Sequence, residues 1–219
     1  MNSRNIAYTA EYQKQRAEWD YLFQDEYLSN NIANSPVFAE GRYKVTFKNY
    51  FDPNGTPYAK YGVLMTVYNE QGEKLFEQKN CHYKRFCSYV KHENGNEYLL
   101  FAIDLYGYSC LNLTTLDVYH YMPEEVLAGG ETFIWTNVVY SGTDKIAVEG
   151  CYWACDHEFE IYDFSEPEEL PYKQLVKHED LEPEYDNWLN PSGWATSDEF
   201  SYEETCGATG EKVTKSVKF

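Results

Sequence analysis

From Arg42 onward, apolar and polar residues alternate in short runs, the pattern of strands with one covered face. YKVTFKNYF (Tyr43 to Phe51) alternates, and Asp52-Pro-Asn-Gly55 is a turn signal. YGVLMTVYN (Tyr61 to Asn69) is mostly apolar, and Glu70-Gln-Gly72 returns it into EKLFEQK (Glu73 to Lys79) as a hairpin. CHYKRFCSYVKH alternates up to the turn Glu93-Asn-Gly95-Asn96. EYLLFAIDLY (Glu97 to Tyr106) and CLNLTTLDVYHYM (Cys110 to Met122) read as two strands around Gly107. Three more follow: FIWTNVVY (Phe133 to Tyr140), KIAVEG (Lys145 to Gly150) and HEFEIYDF (His157 to Phe164). In the last, Phe159, Ile161 and Asp163 fall on one side and Glu158, Glu160 and Tyr162 on the other. Ser165-Glu-Pro167 stops it, since proline cannot donate to a ladder.

The two ends differ from this pattern. Within residues 1–35, Tyr12, Gln15/Arg16, Trp19, Leu22/Phe23 and Tyr27 recur at helical spacing, with Thr9 as a candidate N-cap. A helix from Ala10 to Phe23 is expected, its aromatic stripe covering the sheet. From Gln174 to Thr196, Pro183, Pro191 and Gly193 argue for an ordered acidic loop without regular structure. Phe200 to Phe219 closes the chain as a hairpin around Gly207-Ala-Thr-Gly210; Lys212, Lys215 and Lys218 mark its last strand as a protected edge. The expectation is one mainly β domain over 1–219: an N-terminal α-helix (1–35), an antiparallel β core (42–171), then the acidic loop and hairpin (172–219). The core is a meander or a set of partial propeller-like sheets. An offset of 46 residues sets Phe101 against Ala147, Leu113 against Phe159 and Asp117 against Asp163, close to the repeat of propeller blades.

Composition adds the charge. The net charge is −18, and 17 Asp or Glu against two Lys lie between Glu149 and Glu204. Such a segment repels nucleic-acid phosphate and favours a basic partner. No apolar run is long enough to span a membrane, and the N-terminus lacks a signal-peptide apolar core, so a cytoplasmic location is expected. In a reducing compartment the six Cys read as packed thiols.

Catalytic and metal signatures are weak. Cys151, Cys155 and His157 have the wrong spacing for a zinc knuckle, as do Cys81, His82 and Cys87. The sequence has no EF-hand loop, no G-x-S-x-G, no H-E-x-x-H and no glycine-rich phosphate loop. Neither a metal nor a cofactor is expected. Glu158 and Glu160, about 7 Å apart along one strand face, could suggest a glycosidase pair. Tyr106, Tyr108, Tyr152 and Trp153 could form a sugar platform or fill a β core.

GCYWACDHEFEIYDFSEPEELP, with the preceding GGETFIW, resembles a segment of uncharacterised bacterial proteins with propeller-like strands, over about residues 97–175. That resemblance implies no activity, so no functional residue carries over. In general character alone, the acidic chain is similar to toxin-immunity proteins and phage-encoded inhibitors. The function expected is non-enzymatic: occluding the surface of a basic protein such as a nuclease, a toxin or another nucleic-acid-binding protein. The candidate contact residues are Tyr152, Trp153, Glu158, Glu160, Glu182, Glu184, Tyr185, Asp186 and Trp188, with Tyr172 a further exposed aromatic. The alternative is a carbohydrate or small-ligand binder, possibly a hydrolase, using the Gly107/Cys151 end of the sheet.

Overall fold

In a computed structural model, residues 4–29, 35–56, 58–83, 85–153, 158–181 and 187–219 are described. Among them, fifteen strands build four antiparallel sheets, each from strands consecutive in the chain. The first holds β1 (Val37–Phe38), β2 (Tyr43–Asp52), β3 (Lys60–Asn69) and β4 (Lys74–Asn80). The second holds β5 (Cys87–Lys91), β6 (Glu97–Ala102), β7 (Tyr108–Asn112) and β8 (Val118–Tyr121). β9 (Ile134–Tyr140), β10 (Lys145–Cys151), β11 (Glu158–Asp163) and β12 (Gln174–Val176) form the third. The fourth has β13 (Trp188–Thr196), β14 (Glu199–Thr205) and β15 (Lys212–Lys218). The mainly β, antiparallel reading holds.

The sheets stack in chain order through three apolar layers. Val45, Phe47, Val63, Met65 and Val67 of the first sheet meet Leu99, Phe101 and Leu111 of the second. Tyr98, Leu100, Tyr108 and Cys110 on its other face meet Trp135, Ile146, Val148 and Tyr162 of the third. Ala147, Phe159 and Ile161 then meet Leu189, Phe200 and Tyr202 of the fourth. Inner sheets are therefore covered on both faces, which is why every residue of β6 and β7 is buried. Continuous apolar runs such as YLLFA are what a doubly covered strand requires.

This stacking corrects the spacing of the internal repeat. Phe101 faces the first sheet, whereas Ala147 faces the fourth. A shift of one residue exchanges the faces of a strand. Leu99 and Phe101, turned toward the preceding sheet, correspond to Ile146 and Val148, so the offset is odd rather than 46.

Two further boundaries move. The expected strand Cys110–Met122 is a hairpin, β7 turning into β8. Asn112 Oδ1 accepts from the Thr114 and Thr115 amides at 2.8 and 3.2 Å, and Leu116 takes φ 65°. An Asx turn of this kind competes with a ladder and leaves the alternation almost undisturbed. The expected loop Gln174–Thr196 contains β12 and the nine-residue β13. Pro191 and Gly193 fit there because β13 is an edge strand whose register shifts between them.

The N-terminal helix is shorter than its stripe. α1 spans Ala10–Ala17, capped by Thr9, and Asp20–Phe23 and Asp25–Tyr27 are 3-10 turns. Arg16 pins it: Nη1 donates to Asp104 Oδ1 and the Ile103 carbonyl, both at 3.0 Å, and Nη2 to the Lys79 carbonyl at 2.6 Å. Tyr12 donates to Asp104 Oδ2. Leu22 and Phe23 pack against Gly62 of β3, where any Cβ would press on them.

Candidate functional site

The antiparallel registers fix which connections share an end. Gly150 pairs with Glu158, Cys151 with Ile134, Ala102 with Tyr108 and Trp188 with Thr205. The β6–β7 and β10–β11 turns and the β8–β9 connection therefore gather at one end, where a cleft of about 160 Å³ opens between the second and third sheets. Glycine permits the close approach there. A Cβ on Gly107 would overlap Ile103 and Met122, and one on Gly150 would overlap the Ile134 carbonyl oxygen.

The cleft wall is aromatic. Trp135 stacks on Tyr108 with ring centroids 3.9 Å apart, and Tyr108 stacks on Tyr172 at 5.5 Å. The Tyr108 hydroxyl accepts from the Tyr172 amide at 3.0 Å, and the Tyr172 hydroxyl donates to the Pro167 carbonyl at 2.7 Å. Phe133 and Tyr152 close the outer side, with centroids 5.4 Å apart. At the bottom lies Glu160, only 1% exposed. It accepts from the Tyr152 hydroxyl at 3.1 Å and from the Tyr162 hydroxyl, and Gln174 adds a hydrogen bond. Burial raises the Glu160 carboxyl above the ordinary carboxylate range, against the pull of those donors and of Lys177.

This arrangement redistributes the nine candidate contact residues. Glu160 and Tyr152 belong to the cleft, so Glu160 presents nothing to a macromolecule. Trp153 and Trp188 are exposed, 49% and 45%, and Glu158 is half-buried. Glu182, Glu184, Tyr185 and Asp186 lie outside the described residues. Tyr172, expected among the exposed aromatics, is buried at 4%. Glu160 is buried because both faces of β11 meet another sheet; Tyr172, in the β11–β12 connection, is buried because its ring packs into the layer between the second and third sheets. Trp135, Tyr162 and Gln174 were not among the candidate site residues; nothing local marks them as such, because they are lining only once the two sheets stack.

Charge is also redistributed. Lys212 and Lys218 of β15 pair with Glu203 and Glu199 of β14 at 2.9 and 3.5 Å, and Lys215 pairs with Glu204. Lys145 binds Asp144 and Asp198 at 2.8 and 2.9 Å. The edge strand thus neutralises much of the fourth sheet, as its lysines foreshadowed. Exposed Glu179 and Asp180 remain in the connection leading to Trp188.

Other constellations are structural. Ser109 Oγ contacts His120 Nδ1 at 2.7 Å, but Ser109 is fully buried and out of reach of a substrate. Burial lowers His120 to about 4, with Arg16 adding to the effect. Burial raises the Cys81 and Cys110 thiols to about 12, the opposite of an activated nucleophile. Among the described residues no cluster of His, Cys, Asp and Glu could hold a metal ion; Cys155 and His157 lie outside them. No helix among them is long and apolar enough to cross a membrane. Comparison with protein-family models finds no match to this chain, and a search of curated proteins finds no relative.

Proposed function

We propose that the chain is a non-enzymatic binding protein that docks its acidic end onto a basic protein surface and occludes it. The observation carrying this reading is the pair Trp153 and Trp188. Both are large indoles that stand exposed, Trp153 just after β10 and Trp188 at the start of β13, on either side of the acidic run. Exposed Trp is the side chain most enriched among interface anchors. Glu158, Glu179 and Asp180 accompany the two in sequence, and Glu182, Glu184 and Asp186 lie in the connection between them. Acids around aromatic anchors steer a cationic partner and set the salt dependence of its capture. A nuclease, a toxin or another nucleic-acid-binding protein presents such a surface, and covering it would block access to phosphate.

Replacing Glu182, Glu184 and Asp186 by Lys tests the reading. Association with the basic partner should slow and lose most of its salt dependence while thermal unfolding is unchanged. An unaltered association rate would remove that connection from the interface.

A further inference from the structure

The cleft between the second and third sheets has no part in the docking reading and stands independently of it. Its walls are aromatic rings from six separate segments, among them Tyr108, Trp135, Tyr152 and Tyr162, and the described residues lining it include no Lys, Arg or His. At the bottom is a carboxyl group hydrogen-bonded by neutral donors, and among the described residues the cation acting on it is exposed Lys177 beyond β12, outside the lining. A second polar atom, Thr132 Oγ1, is buried in the lining with no hydrogen-bond partner among the described residues. Buried carboxylates are retained when something compensates them. Here three hydrogen bonds do part of that, and what they leave is negative charge facing the electron-rich faces of the rings.

We propose that this cleft binds a small organic cation, an alkylammonium head group, with Glu160 as counter-charge and the rings as its box. Aromatic faces attract cations electrostatically and do so more strongly when water is excluded. Size agrees: a cavity of roughly 150 Å³ holds a benzene ring, and this one, about 160 Å³, admits a quaternary ammonium with its methyl groups. Thr132 Oγ1 offers a hydrogen bond to a hydroxyl on the ligand's short arm. Binding draws Glu160 into its charged form, so uptake of the cation releases a proton wherever the empty site is protonated. The charged and titratable groups facing Glu160 are Tyr152 and Tyr162, which donate to it, and Lys177 beyond β12.

The test compares choline with 3,3-dimethyl-1-butanol, which keeps the shape and replaces the charged nitrogen by carbon. Titration of the whole protein, followed by calorimetry and by tryptophan fluorescence, should show saturable choline binding at least tenfold tighter than the alcohol. Glu160→Gln should abolish that preference, with thermal unfolding confirming that the variant folds. Equal affinity for the two molecules, or no binding of choline at millimolar concentration, overturns the proposal. A choline preference that survives in folded Glu160→Gln overturns it as well. Because the first comparison uses the unaltered protein, it decides the matter even if the variant does not fold.

Discussion

Trp135 lies flat on Tyr108 across the gap between the third and second sheets, the ring planes 14° from parallel. The pair joins two meanders that share no ladder and forms the inner wall of the cleft. Tyr172 lies beside the pair, its ring centroid 5.5 Å from Tyr108 and 6.3 Å from Trp135.

Trp135→Ala removes the largest ring of this layer and should destabilise the protein by about 3–5 kcal/mol. Trp135→Phe should recover part of that. Urea denaturation with an unchanged slope checks both; a loss under about 1 kcal/mol would mean the sheets are not held there.

Arg16 and Asp104 tie the helix to the first two sheets with side chains only 14% and 17% exposed. Asp104→Ala strands the guanidinium and should cost about 3–5 kcal/mol. Arg16→Ala together with Asp104→Ala should cost clearly less than the two losses added, because each single change already breaks the same network. Additive losses would contradict the coupling.

Half-buried His120 and buried Glu160 give opposite pH slopes. His120 titrates at about 4 in the folded protein, below its ordinary value, so the unfolded chain binds more protons between about 6.5 and 4 and stability falls as pH drops through that window. Glu160 is raised, so the folded chain binds more protons just above the ordinary carboxylate range and stability falls as pH rises there. The two offset one another in the native protein. His120→Gln should expose a decline as pH rises out of the ordinary carboxylate range, and Glu160→Gln a gain through the His120 window. Unfolding midpoints between pH 5 and 7 read both signs. Profiles parallel to that of the unaltered protein would refute them.

Gly150→Ala should cost about 1–3 kcal/mol, since the new methyl overlaps the Ile134 carbonyl at a register shift of the β9–β10 ladder. Gly129→Ala adds a methyl into open space and meets only the penalty of its positive φ, so it should be the milder change by thermal unfolding. The reverse order would contradict the close approach at the cleft.

Much of the architecture is written in short-range pattern. Three of the four strands of the third sheet were legible because Phe133–Tyr140, Lys145–Gly150 and His157–Phe164 are apolar or alternating runs set between clear breaks, whereas β12 fell in the expected loop. The terminal lysine edge was legible for the same reason. β8 was not, because the Asn112 turn keeps the period of two across the reversal. β13 was not, because Pro191 and Gly193 forbid a central strand but not an edge. Glu160 was misplaced because periodicity says which residues share a face and cannot say that a further sheet covers it, and Tyr172 because its connection carries no pattern that shows it folding back onto Tyr108. The cleft depends on how sheets stack, and that information is spread over residues 106–174 rather than held in any motif.

The most direct test of the docking claim is a comparative capture experiment with the full chain as bait. The intact protein and Trp153→Ala/Trp188→Ala are loaded with host lysate at low salt and eluted by rising salt. The account predicts that the intact protein retains a basic protein and releases it as salt rises, while the folded double variant retains it at least tenfold less. Equal retention by both baits, or retention indifferent to salt, would contradict it.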